Sequence, residues 1–188
     1  MITLPKSSLL ARLGQRDPVV RHQIVDRSAA EIERHDEWFR RQIAEGDPSL
    51  ETAIEQLLYG QVLESAPGYV YGYALVAIAD ALGHRLFANS FEGIRWEWLE
   101  EVDAHLAAAG APAGLRTESM VTRSVPGVAL PFIGDFPSLG WTTEDTLGEA
   151  KAWIQSCRVP QAAWAVRDDL KRWLDQTPDG WGWLGCYA

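Results

Sequence analysis

The segment Tyr69 to Leu82 constrains this chain more than any other. It runs through fourteen residues with Asp80 as its only charge, and Gly83 follows it. A helix that is apolar nearly all round has no face to offer water, so it belongs at the buried centre of a globular domain. At fourteen residues it is too short to cross a bilayer, which takes about 18–20 apolar residues. The rest of the chain must supply helices with one apolar face each to cover it. The pattern does so. Asp17-Pro18 reads as an N-cap followed by proline at the first helical position. Ser28-Ala29-Ala30-Glu31 has the form of a capping box. One helix over 18–45, or two meeting near Ser28, then carries Ile32, Phe39 and Ile43 on one side with His35 between them. Gly46 closes it. Asp47-Pro48 opens a further helix with the stripe Leu50, Ile54, Leu57 and Leu58.

In the second half, Gly93 to Ala109 reads as a helix with Ile94, Trp98, Val102 and His105 on one side. A short helix fits Leu115–Val121. Thr142-Thr143-Glu144-Asp145 starts another, with acids placed well for the helix dipole. Ala162 to Gln176 is the last helix, with Val166, Leu170 and Trp173 facing in. Val125 to Gly140, rich in Pro and Gly, reads as loop. Residues 1–4 are β-capable, and Trp181 to Tyr187 is a short strand that can pair with them. The expected architecture is therefore one mostly helical α+β domain over 1–188, with a small sheet formed by the N- and C-terminal segments. Its 188 residues fit a single domain with a real core.

Charge narrows the partners. The chain carries 17 Lys+Arg against 26 Asp+Glu, a formal net charge of -9. Residues 1–41 hold eight bases and six acids, whereas 42–188 hold nine and twenty. Such an anionic body argues against nucleic acid, whose phosphates are neutralised by Lys and Arg, and against anionic membrane. It suits solubility, and it suits steering toward a basic protein. The two cysteines, Cys157 and Cys186, lack a CxxC spacing and read as free cytoplasmic thiols, with a single bridge between them as the alternative. Met1-Ile2-Thr3-Leu4-Pro5-Lys6 lacks the long apolar stretch of a secretory signal, so no leader is expected.

Chemistry is sparse. Gly180-Trp-Gly182-Trp-Leu-Gly185 has GxGxxG spacing, but three residues remain after it and no helix N-terminus can follow to hold a pyrophosphate. His22, His35, His84 and His105 form no metal spacing, so no metal and no cofactor is expected. His35 and His105 fall on mainly apolar faces, where packing is the ordinary role of a histidine. His105 would act as a general base if Asp80 or Asp135 approached it, which makes His105 and Asp135 the catalytic candidates. Glu100-Glu101, Glu144-Asp145 and Asp168-Asp169 read as solvated helix faces, since neighbours on a helix diverge by about 100°. The unusual feature is aromatic: nine tryptophans, and Tyr69, Tyr71 and Tyr73 alternating at the head of the central helix. Core filling accounts for most of them. The binding candidates are Tyr69, Tyr71, Tyr73 and Trp141, the last expected to be exposed because it sits in the Pro/Gly-rich stretch.

Four motifs carry a resemblance: Tyr71-Gly72-Tyr73-Ala74-Leu75, Trp98-Leu99-Glu100-Glu101-Val102-Asp103, Asp135-Phe136-Pro137-Ser138-Leu139-Gly140-Trp141, and Gly182-Trp-Leu-Gly-Cys-Tyr187. The chain resembles an uncharacterised bacterial, mainly actinomycete, domain-of-unknown-function family of small acidic proteins, and is more distantly similar to YfbM-like proteins. The resemblance implies a single α+β domain and transfers no catalytic residue. Leu4-Pro5-Lys6 departs from it by interrupting the first strand. The reading that follows is a cytoplasmic, non-catalytic interaction module, an immunity-like or regulatory partner of a basic protein. The alternative is a small-molecule-binding protein or enzyme whose site lies between the Tyr69–Tyr73 helix and the Val125–Trp141 loop.

Overall fold

The computed structural model describes residues 1–88, 90–91, 95–122, 124–134 and 136–187. The fold is α+β and mostly helical, with ten α-helices and a four-stranded antiparallel sheet among the described residues. The strands are β1 (Ile2–Leu4), β2 (His84–Arg85), β3 (Ser138–Thr142) and β4 (Gly182–Tyr187), ordered β2-β1-β4-β3. The first and last strands are thus neighbours, as expected from the termini. Thr3 seals the pairing by donating its hydroxyl to the Gly182 carbonyl at 3.2 Å. The chain divides into two compact units. A helical unit comprises Leu4–His84, Pro126–Ser138 and Tyr187–Ala188, and a sheet unit comprises Met1–Thr3, Arg85–Val125 and Leu139–Cys186.

In the helical unit, the short α1 (Lys6–Leu10) is followed by α2 (Pro18–Arg27), α3 (Ala29–Trp38) and α4 (Arg40–Ala44). The span 18–45 is therefore three helices. Ser28 explains the first break: it sits at φ -97°, ψ 5° and makes no side-chain cap, so the expected capping box does not form. Asp17 does cap α2, accepting from the Val19 and Val20 amides at 2.9 and 3.3 Å. Next, α5 (Leu50–Tyr59) packs against the central α6 (Gly68–Leu82), with its stripe Leu50, Ile54, Leu57 and Leu58 buried. Ser49 caps α5 by accepting from the Thr52 amide at 3.2 Å. At the other end Gly60 turns left-handed at φ 67°. The turn over residues 14–16 satisfies the last carbonyls of α5: the Gly14 and Arg16 amides donate to Leu57 and Leu58, and Arg16 Nε donates to Tyr59. As its composition requires, α6 is buried along most of its length, Val70, Tyr71, Ala74, Leu75 and Ile78 being fully covered. Gly83 ends it in extended backbone and not in the left-handed turn that glycine stops often use.

In the sheet unit, α7 (Trp96–Ala108) is followed by one 3-10 turn at Ala113–Leu115 and by α8 (Thr117–Thr122). Gly93 and Ile94, expected at the head of α7, lie outside the described residues. The Val125–Gly140 stretch was expected as loop throughout, but its end is strand β3. Then come α9 (Glu144–Ile154), a 3-10 turn at Gln161–Ala163 and α10 (Trp164–Gln176). Thr143 caps α9 by accepting from the Thr146 amide at 3.3 Å. The core gathers Val102 and Leu106 of α7, Leu147, Ala150 and Ile154 of α9, Val166, Leu170 and Trp173 of α10, and Trp183 of β4. Glycines make the layering possible. A Cβ on Gly140 or Gly185 would overlap the Met120 carbonyl, so the backbone of α8 lies directly on β3 and β4. A Cβ on Gly182 would strike the Trp141 ring. The run that mimics a phosphate loop is therefore a packing surface.

Most tryptophans are committed to structure. Trp173 and Trp183 meet edge to face at 5.7 Å. Trp183 Nε1 donates to Thr177 Oγ1, Trp173 Nε1 to the Phe87 carbonyl and Trp153 Nε1 to the Ala109 carbonyl. Cys157 and Cys186 are separate thiols, and burial pushes the Cys157 thiol above its ordinary range. Among the described residues no helix is long and apolar enough to cross a membrane.

Candidate functional site

The helical unit brings two of the four binding candidates together around a histidine. Tyr69 and Tyr73 are one turn apart on α6, so both point toward α3, while Tyr71 points away between them. From α3 comes His35, 5% exposed, and just beyond its end Phe39. Phe39 stacks on Tyr69 with ring centroids 4.8 Å apart, and His35 lies 4.6 Å from Phe39 and 5.1 Å from Tyr73, the latter edge-on. The loop over 126–138 closes on the same helix. A Cβ on Gly68 would overlap the Phe132 carbonyl, and one on Gly72 would lie 2.8 Å from the Pro137 ring. Residues 126–138 thus pack directly on the tyrosine helix within this unit.

Polar groups orient the cluster. His35 Nδ1 lies 3.1 Å from Asp36 Oδ1, which also accepts from the Leu50 amide at 2.9 Å. A carboxylate only accepts, so Nδ1 carries the proton and Nε2 presents its lone pair. That Nε2 is buried without a hydrogen-bond partner. Burial lowers the His35 pKa below its ordinary value, against the opposing pull of Asp36 and Glu31, so the ring is neutral. Tyr69 donates its hydroxyl to Asp47 Oδ2 at 2.9 Å, and burial together with that bond raises its pKa far above the ordinary range. It stays a donor at every physiological pH. The arrangement holds an oriented neutral imidazole, one requirement of a general base, and its Nε2 accepts no hydrogen bond from a described residue.

The remaining candidates fall elsewhere. Tyr71 is fully buried, donating to Gln56 Oε1 at 2.5 Å and accepting from the Leu63 amide at 3.0 Å, which fixes the link between α5 and α6. Trp141, expected to be exposed, is 2% exposed: as part of β3 it lies over Gly182 and its Nε1 has no partner. The expectation failed because proline and glycine around it mark a strand entry and not a surface loop. His105 is partly buried in the last turn of α7 in the sheet unit. Asp135 lies outside the described residues. Asp169, expected on a solvated face, is buried and accepts from the Ser90 amide, the Ser90 hydroxyl and Arg172. Asp103, likewise buried, caps α8 through the Thr117 and Glu118 amides and the Thr117 hydroxyl. Among the described residues no group of three or more His, Cys, Asp or Glu is placed to hold a metal.

Residues 1–185 match the model of a family described as a domain of unknown function, DUF7691. The chain belongs to the DUF7691 family. The match spans nearly its whole length and therefore both units. No curated protein and no solved structure matches this DUF7691 member. Its aromatic cluster must therefore be read from its own geometry. Sequence periodicity put Phe39 on one side with His35 but did not join that face to Tyr69 and Tyr73, and it gave no sign of Asp47 as a partner of Tyr69.

Proposed function

We propose that this chain is a cytoplasmic, non-catalytic interaction module, immunity-like or regulatory, that docks a basic protein through the aromatic surface of its helical unit. One observation carries the reading. Trp38 is 72% exposed and Phe132 90% exposed, in a protein that buries or bonds most of its other tryptophans. Each adjoins the cluster along the chain: Trp38 precedes Phe39, and Phe132 belongs to the loop seated on Gly68 beside Tyr69. Exposed aromatic anchors of this kind concentrate binding energy at interfaces. The net charge of -9 selects a cationic partner. The buried carboxylates Asp103 and Asp169 are spent on backbone amides and neighbouring side chains, which leaves them no catalytic work. A bacterial origin and distant kinship with YfbM-like proteins are part of the same proposal.

The test is a pull-down from host lysate at low salt with the wild-type chain, Trp38→Ala and Phe132→Ala in parallel. The expected result is one stoichiometric basic protein, lost at high salt and depleted by both variants. A partner retained equally by the variants, or one indifferent to salt, overturns the docking face or its electrostatic part respectively. The rival reading, a small-molecule or enzymatic site, is favoured by one observation, the unpartnered Nε2 of His35 beneath Tyr73. On that reading His105 and Asp135 remain acid–base proposals. Their alanine variants leaving all ligand binding intact would remove them.

A further inference from the structure

A cleft of about 440 Å³ opens in the helical unit between α2, the turn after α1 and the C-terminal end of α6. Its volume falls within the roughly 300–1,000 Å³ typical of small-ligand sites. The lining is amphipathic. Ile24, almost wholly buried, and Leu82 supply apolar wall, and Gln23 adds a neutral amide. Arg12 and Arg27 bring two guanidiniums to the same space. Arg27 spends one nitrogen, Nη1, on the Ala81 carbonyl at the end of α6, which ties its head to the cleft, and its other N–H groups bond no described residue. Arg12 makes no side-chain hydrogen bond or ion pair with a described residue. Asp26 is the one carboxylate of the lining, and it pairs with His22 at 3.3 Å.

We propose that this cleft binds a small monocarboxylate with an apolar tail. The guanidiniums match the planar carboxylate, which takes two parallel N–H bonds from one such fork. The apolar wall covers the tail. Asp26 sets the charge of the head: two cations and one anion leave room for one negative charge, and a phosphate dianion meets repulsion from the carboxylate. The site is separate from the aromatic cluster and does not depend on the protein-docking reading.

Methyl-resolved NMR of the intact chain tests it, with octanoate, octanol, octylamine and inorganic phosphate as probes. Octanoate is expected to shift the Ile24 and Leu82 methyl signals saturably, while octanol and octylamine bind at least tenfold more weakly, the loss of a charged hydrogen bond being worth roughly that factor. Arg12→Gln, which removes no structural bond, should weaken octanoate by about tenfold. Gln23→Glu, at the cleft wall, should weaken it as well by adding a like charge. Equal binding of octanol, an unchanged affinity in both variants, or phosphate shifting the same methyls as strongly as octanoate overturns the assignment. So does the absence of any saturable shift at these methyls.

Discussion

His35 is a buried titratable residue among aromatic rings. It is neutral because the charged imidazolium would lose its hydration among Phe39, Tyr69 and Tyr73. Its folded pKa lies below the unfolded value, so below about 6.5 the unfolded chain takes up the proton first. Stability contributed by His35 is thus present above that pH and is lost as pH falls toward the folded pKa. Thermal unfolding followed from pH 7.5 to 5 should show this loss in the wild type and a flatter profile in His35→Phe; parallel profiles would refute it. Asp103 makes a second case. Asp103→Ala strips three hydrogen bonds from the start of α8 and leaves buried amides without an acceptor, which should cost about 1–3 kcal/mol in denaturant unfolding. Neither residue was legible as special. His35 read correctly as a packed histidine, but its Asp36 partner and its bare Nε2 depend on where α5 and α6 arrive. Asp103 gave no signal at all, since its partners Thr117 and Glu118 are fourteen and fifteen residues away.

Among the elements, contrast between glycines separates packing from backbone entropy. Gly185→Ala should destabilise by about 1–3 kcal/mol, because the new methyl overlaps the Met120 carbonyl of α8 and backbone cannot yield as a side chain does. Gly148→Ala, in the interior of α9 with nothing near a new methyl, should instead stabilise by about 0.5–1 kcal/mol. Opposite signs in the two melting temperatures check the layering of α8 on β3 and β4, and equal signs would count against it. Helices were readable wherever caps and stripes are local: Asp17 before α2 and Thr143 before α9 cap as their residue types dictate, whereas α5, expected to open at Asp47-Pro48, starts two residues later behind the cap Ser49. The failures share a cause. Ser28 has the capping-box spacing but not the extended backbone a cap needs, and β3 is a strand because β4 pairs with it, a partner more than forty residues away in sequence.

For the whole molecule, the net charge of -9 makes a kinetic prediction. Association with the proposed basic partner should slow by tenfold or more as salt rises from low to physiological ionic strength, with dissociation nearly unchanged. Trp38→Ala should do the reverse, raising the dissociation rate and sparing the salt dependence. Stopped-flow rates for both proteins would separate steering from anchoring, and a Trp38→Ala effect confined to association would remove Trp38 from the docking face.

The fold class followed from local chemistry alone. An apolar helix that tolerates no water, flanked by one-sided helices and two β-capable termini, can bury itself only as a mostly helical α+β protein. Charge likewise follows from composition. The location of any site did not follow. Tyr69 and Tyr73 were chosen for their residue type, yet Tyr71 shares that type and is a structural bolt, while Trp141 shares it and is core. Which aromatic stays exposed, which carboxylate is spent on amides, and which arginine faces a cleft are set by contacts between residues distant in the chain. Local pattern carries no information about those contacts, because the free energy that selects them arises only when the elements pack.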